Sequence, residues 1–74
     1  MRLVNPTGKG TANTTLDVLR AGVFTHRLTS AIRDGVHLLR LRDTTGTVVA
    51  ETRRGNHTPY SWAEIHDWAD RATA

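Results

Sequence analysis

The sequence predicts a small α+β domain: two short helices, a β-hairpin and a C-terminal helix. Three observations carry that expectation. Val36–Arg42 and Thr47–Arg53 are β-prone runs flanking the glycine-containing turn Asp43-Thr44-Thr45-Gly46. Ser61-Trp62-Ala63-Glu64 is a capping box, the clearest helix start in the chain. Leu16, Leu19, Val23, Leu28 and Ile32 recur at helical spacings before Asp34-Gly35.

Residues 1–13 are rich in Thr, Gly and Asn and poor in apolar side chains, which predicts a flexible basic arm carrying Arg2 and Lys9. Residues 14–74 then form a single domain. Thr14-Thr15-Leu16-Asp17 reads as a helix start, with a Thr cap and an acidic residue three positions on. Glycine costs roughly 1 kcal/mol inside a helix, so Gly22 argues for a break, and Thr25 is a competent new cap. The reading is therefore two helices, about 15–21 and 26–34, the second closed by Gly35 in the left-handed conformation.

In the hairpin, His37, Leu39 and Leu41 face one way, and Val36, Leu38, Arg40 and Arg42 the other. On the second arm Val48 and Ala50 oppose Val49, Glu51 and Arg53. Neither arm has a purely polar face, so the helices or a partner must cover part of each. Arg54–Pro59 is a loop by composition. In the last helix Trp62, Ile65, Trp68, Ala69 and Ala72 form an apolar stripe, and Tyr60 is placed to staple onto Ile65.

Seventy-four residues make one domain near the lower limit of independent folding, and the absence of cysteine rules out disulfides and thiolate metal sites. Self-association would supply further burial, so a homo-oligomer is open. The first residues, Met1–Pro6, lack the apolar run of a signal peptide, which points to a cytoplasmic protein. A net charge of +3 fits a polyanion partner, although Lys9 is the only lysine and an arginine bias also follows from base composition.

No catalytic or cofactor constellation emerges. His26, His37, His57 and His66 include no pair at the spacing of helical metal ligands, so no metal is expected. Ser30 and Ser61 read as surface and cap residues rather than nucleophiles. Asn5–Thr11 ends like a phosphate-binding loop but lacks the earlier glycine and the βα framework that such a loop needs. An enzyme is the least favoured class.

In the two-helix reading, the second helix presents Thr25, His26, Arg27, Thr29, Ser30 and Arg33 outward, residue types that suit base edges and phosphates. From Leu16 to Trp68 the chain resembles the excisionase and MerR-type winged-helix domains, on Ala21-Gly22-Val23, Ala31–Gly35, the hairpin as wing and Tyr60–Trp68. That resemblance implies a helix-turn-helix, and a small DNA-bending accessory factor of phage recombination or a transcription regulator. It implies Arg27 and Arg33 as groove or phosphate contacts and the wing residues Arg40 and Arg42 as backbone contacts. Arg20, Arg53 and Arg54 would add phosphate attraction. DNA is favoured over RNA as the partner. The alternative is a protein-interaction module, such as a phage-type inhibitor or an assembly adaptor, binding through the hairpin edge and the last helix.

Overall fold

Two dipeptides with left-handed backbone set the architecture. A computed structural model, which describes residues 1–74, gives Ala21 and Gly22 φ values of 52° and 76°, and Asp34 and Gly35 values of 51° and 75°. Two consecutive positive φ values are the signature of the two-residue turn whose twist matches antiparallel strands. Each dipeptide therefore closes a hairpin: Arg20 pairs with Val23, and Arg33 with Val36.

The chain forms β1 (Arg2–Val4), β2 (Asn13–Arg20), β3 (Val23–Arg33), β4 (Val36–Asp43), β5 (Val48–Gly55) and one helix, α1 (Trp62–Ala72). The strands make one antiparallel sheet in the order β1-β2-β3-β4-β5, each paired with its sequence neighbour. The fold class expected from the sequence is corrected accordingly. No helix occupies 15–21 or 26–34, and the helix-turn-helix and winged-helix arrangement is not present. Asp34-Gly35 ends no helix; it turns β3 into β4. Within residues 1–13, expected as an arm, Arg2–Val4 pairs with Val4 opposite Asp17 and Arg2 opposite Leu19.

The physical reason lies in the period. The buried residues of β2 are Thr14, Leu16 and Val18, and those of β3 are Leu28 and Ser30, alternate positions of extended chain. Leu19 and Val23, which complete the helical spacing, lie outside the core. β4 behaves as its alternation predicts, with His37, Leu39 and Leu41 buried. In β5 the register shifts beside Leu41 and Arg42, so Arg42 lies opposite Val48 and Val49 is the extra residue. That bulge moves Val48 to the face of Glu51 and Arg53.

α1 covers one face of the sheet. Ser61 caps it as the sequence predicts: its side chain accepts from the Glu64 N–H, and Glu64 accepts from the Ser61 N–H. Ile65 and Ala69 are fully buried and meet Leu16, Val18, Leu28, Leu39, Leu41 and Tyr60, with Met1, Leu3, Ala50 and Trp68 packed around them. Trp62, in the first turn, remains 42 % exposed. Arg20 reaches from β2 to the other end of the helix, donating to the Asp70 carboxylate at 2.9 Å and to Thr73 Oγ1 at 3.1 Å. No helix is long and apolar enough to cross a membrane.

A polar chain runs through this core. The Tyr60 N–H donates to His37 Nδ1 at 2.9 Å, so the ring proton sits on Nε2, which lies 2.7 Å from Ser30 Oγ. The Ser30 hydroxyl in turn donates to the Thr11 carbonyl. The segment entering α1, two central strands and the loop after β1 are thus tied together, and no buried side-chain polar atom lacks a partner.

Two predictions follow from this geometry. Ala21 occupies a backbone region that disfavours a Cβ, whereas Asn before Gly is preferred in this turn. Ala21→Asn should raise the unfolding free energy by about 1 kcal/mol, seen as a higher denaturant midpoint at unchanged slope. Loss of stability would contradict the turn assignment. The second concerns His37, which burial, aided by the nearby Arg54 charge, holds below its ordinary value of 6.5. Below that value the unfolded chain binds a proton that the folded chain resists, so stability rises with pH there. The His37 contribution is complete above about pH 6.5 and is lost as pH falls toward the folded-state value. Unfolding titrations from about pH 6.5 downward should show this decline in the natural chain and its removal in His37→Gln; equal slopes would contradict it.

Candidate functional site

The face of the sheet opposite α1 has no covering element, and the strand register brings most of the arginines onto it. Cross-strand pairing lays the open face out in rows. Arg2, Leu19 and Phe24 form the first, and Val4, Asp17, Arg27, Arg42 and Val48 the second. Thr15, Thr29, Arg40 and Glu51 form the third, followed by Asn13, Ala31, Leu38 and Arg53. Arg33, Val36 and Gly55 close the face. Alternation along each strand then fixes the side: Leu16, Val18, Leu28, Ser30, His37, Leu39 and Leu41 are buried beneath it, and their neighbours point away.

The open face holds six guanidinium groups, those of Arg2, Arg27, Arg33, Arg40, Arg42 and Arg53, against the carboxylates of Asp17 and Glu51. The α1 side carries no excess of positive charge: Arg20, Arg54 and Arg71 stand with Glu64, Asp67, Asp70 and, by its pairing with His26, Asp43. Arg20 is bridged to Asp70 and Arg54 to Glu64. The positive charge of the chain is therefore concentrated on the uncovered face.

Partial neutralisation leaves that face cationic. Arg27 approaches Asp17 at 3.5 Å and lies over the Phe24 ring, with its carbon 5.4 Å from the centroid. Glu51 serves Arg40 at 2.5 Å and Arg53 at 3.6 Å. Arg42 has no carboxylate; it donates to the Gly46 carbonyl at 3.0 Å and stands directly opposite Arg27. Like charges at directly opposed positions destabilise a sheet, and an anion bridging them would relieve the repulsion. Arg27 and Arg53 keep 56 % and 66 % of their side-chain surface in solvent.

Of the residues singled out from the sequence, Arg27, Thr29, Arg33, Arg40, Arg42 and Arg53 come together on this face. The others do not. Thr25 is the extra residue where the β2–β3 register shifts, and its hydroxyl donates to the Val18 carbonyl at 3.4 Å. His26 pairs with Val18 and so lies toward the α1 side, sharing a hydrogen bond with Thr25 Oγ1 at 2.9 Å. Ser30 is sealed in the core against His37. Arg54 points under the sheet, where it stacks on Tyr60 with its carbon 4.0 Å from the ring centroid and holds Glu64. That contact, with the Ser61 N–H, keeps the Glu64 carboxyl below its ordinary value, while Glu64 and Tyr60 raise Arg54.

Reading 26–34 as a helix and 1–13 as an arm missed Arg2 as a member of this face, together with the counter-charges Asp17 and Glu51. Alternation back from Ala21-Gly22 along β2 is the signal that finds Asp17, whereas Glu51 lies beyond the bulge at Val49 and Arg2 on a strand that borders neither two-residue turn.

Two other constellations have structural roles. The Ser30–His37 pair has a serine–histidine distance suited to catalysis, but both residues are buried, and His37 Nδ1 accepts from a backbone N–H instead of donating to a carboxylate. The loop Asn5–Ala12 is followed by a strand rather than a helix, and its groups are engaged within the loop and with β3. Asn5 Nδ2 donates to the Lys9 carbonyl at 2.6 Å, and the Ile32 N–H to the Ala12 carbonyl at 2.8 Å. Comparison with protein-family models, with curated proteins and with solved structures returns no match, so the functional reading rests on this geometry alone.

Proposed function

We propose that the domain is a non-enzymatic nucleic-acid-binding module that engages the phosphate backbone through the open face of its sheet. The observation that carries this reading is the Arg27–Arg42 pair. These two directly opposed cations sit within a field of six guanidinium groups and two carboxylates on a face with no covering element. Guanidinium groups are the side chains best matched to phosphate oxygens, and neutralising phosphates releases condensed counterions.

Dimensions decide the mode of contact. Five strands span about 19 Å from edge to edge, whereas the major groove of B-DNA is about 12 Å wide. The sheet is too broad to lie flat in a groove, so its arginines would meet the backbone ridges. Phe24 is the only aromatic residue on the face and stands in its end row beneath Arg27. A stacking platform for single-stranded bases needs more than that. The expected binding is therefore duplex-directed, salt-dependent and indifferent to sequence.

A second reading has its own observation. Ala31, Val36 and Leu38 line a shallow depression with Arg33, Asp34 and Arg53, an arrangement that suits a protein partner with an acidic, partly apolar surface. Salt dependence of nucleic-acid binding separates the two.

In fluorescence anisotropy against a short DNA duplex of random sequence, the logarithm of the binding constant should fall linearly with the logarithm of salt concentration. The slope should be about −0.9 per phosphate neutralised. Arg42→Gln should make the slope shallower by about 0.9, and Arg27→Gln with Arg42→Gln by about twice that. Arg71→Gln, on the α1 side, should leave it unchanged. Because Arg27 also meets Asp17 and Phe24, and Arg42 the Gly46 carbonyl, the denaturant midpoint of each variant is measured alongside to separate a loss of binding from a loss of fold. A flat salt response, or an equal effect of Arg71→Gln, would overturn the reading.

A further inference from the structure

The two edges of the sheet differ. β1 is three residues long, whereas β5, the other edge, offers eight residues, Val48–Gly55, paired only on the β4 side. An exposed strand of that length is a template for another strand unless its side chains prevent it. The phase of the β4–β5 ladder follows from its two ends. The Asn56 N–H donates to the Gly35 carbonyl and the Asp43 N–H to the Thr47 carbonyl. Alternation between these bonds turns the backbone groups of Ala50, Thr52 and Arg54 toward β4, and those of Glu51 and Arg53 outward.

We infer that β5 is a self-complementary edge that pairs antiparallel with β5 of a second copy of this chain about a two-fold axis centred on Thr52. The charges select this register. Centred on Glu51, the pairing would oppose two glutamates; centred on Arg53, two arginines. Centred on Thr52, Glu51 of each copy lies opposite Arg53 of the other, giving two opposite-charge pairs on the open face. On the α1 side the same register sets Thr52 against Thr52, a favourable cross-strand pair, and the larger Arg54 against the small Ala50. The edge charges that discourage pairing with unrelated strands therefore specify pairing with this one.

A two-fold axis perpendicular to the sheet leaves both α1 helices on one side and both arginine faces on the other, joining two five-stranded sheets into one. Arg53 already lies near Glu51 of its own strand, at 3.6 Å, and is 66 % exposed, so it is free to swing to the neighbouring copy. The inference concerns the edge and is independent of what the open face binds.

The test is the solution mass, by sedimentation equilibrium, of the natural chain and of charge-reversed variants. The natural chain should be a concentration-dependent dimer. Arg53→Glu alone and Glu51→Arg alone each oppose like charges at both pairs, and each should weaken the dimer about tenfold or more. An equimolar mixture of the two variants opposes opposite charges at every pair and should recover a heterodimer. Both reversals in one chain should restore the homodimer; because Glu51→Arg also removes the ion pair to Arg40, Arg53→Glu, which leaves that pair intact, keeps the test decisive if a chain carrying Glu51→Arg fails to fold. A monomeric natural chain, a dimer insensitive to either reversal, or failure of both the mixture and the doubly reversed chain to associate would overturn the inference.

Discussion

Register is the constraint on which this molecule depends. Two two-residue turns, Ala21-Gly22 and Asp34-Gly35, hold β2, β3 and β4 in fixed pairing. Once the pairing is fixed, a side-chain period of two decides which residues meet α1 and which meet solvent. A slip of one residue in β3 would carry Leu28 and Ser30 to the open face and draw Arg27 and Thr29 into the core. No such register is compatible with a single apolar layer, so burial and turn geometry enforce each other.

The consequence is a two-layer domain with chemically opposite sides. One helix is enough to cover one face of the sheet, and eight apolar residues make its core. Two buried polar residues, His37 and Ser30, form one connected path from Tyr60 to Thr11, while buried Thr14 bonds to Asn5. Such a path holds the helix entry and the first loop to the sheet where so small a core leaves few other contacts. The second face is left to solvent, and there the arginines collect. Balanced ion pairs on the α1 side, Arg20–Asp70 and Arg54–Glu64, anchor the helix; on the open face the cations outnumber the anions.

Half of this was legible in the sequence. The β4–β5 hairpin could be read because Leu39 and Leu41 alternate with Arg40 and Arg42 around a recognisable turn. The Ser61–Glu64 capping box fixed the start of α1. The stretch from Thr14 to Asp34 misled for a physical reason. Its alternate buried positions include the polar Thr14 and Ser30, which hide the period of two, while Leu16, Leu19, Val23, Leu28 and Ile32 imitate helical spacing. Asp-Gly between alternating runs is a strong hairpin signal, yet the same glycine also suits a helix end. Arg27 and Arg33 share a strand face with each other, not a helix, while Arg54 falls on the α1 side. Ser30 and Arg54 could not be placed from the sequence, because their burial depends on His37 seven residues away and on Glu64 ten residues away.

The antiparallel register of β3 and β4 can be read directly by proton NMR. Arg27 and Arg42 exchange backbone hydrogen bonds in this pairing, so the α-protons of Leu28 and Leu41, Ser30 and Leu39, and Ile32 and His37 lie closest to one another. The account predicts nuclear Overhauser contacts between all three pairs. Their absence, with an unbroken run of sequential amide–amide contacts from Thr15 to Arg33, would restore the helical reading and disperse the arginine face.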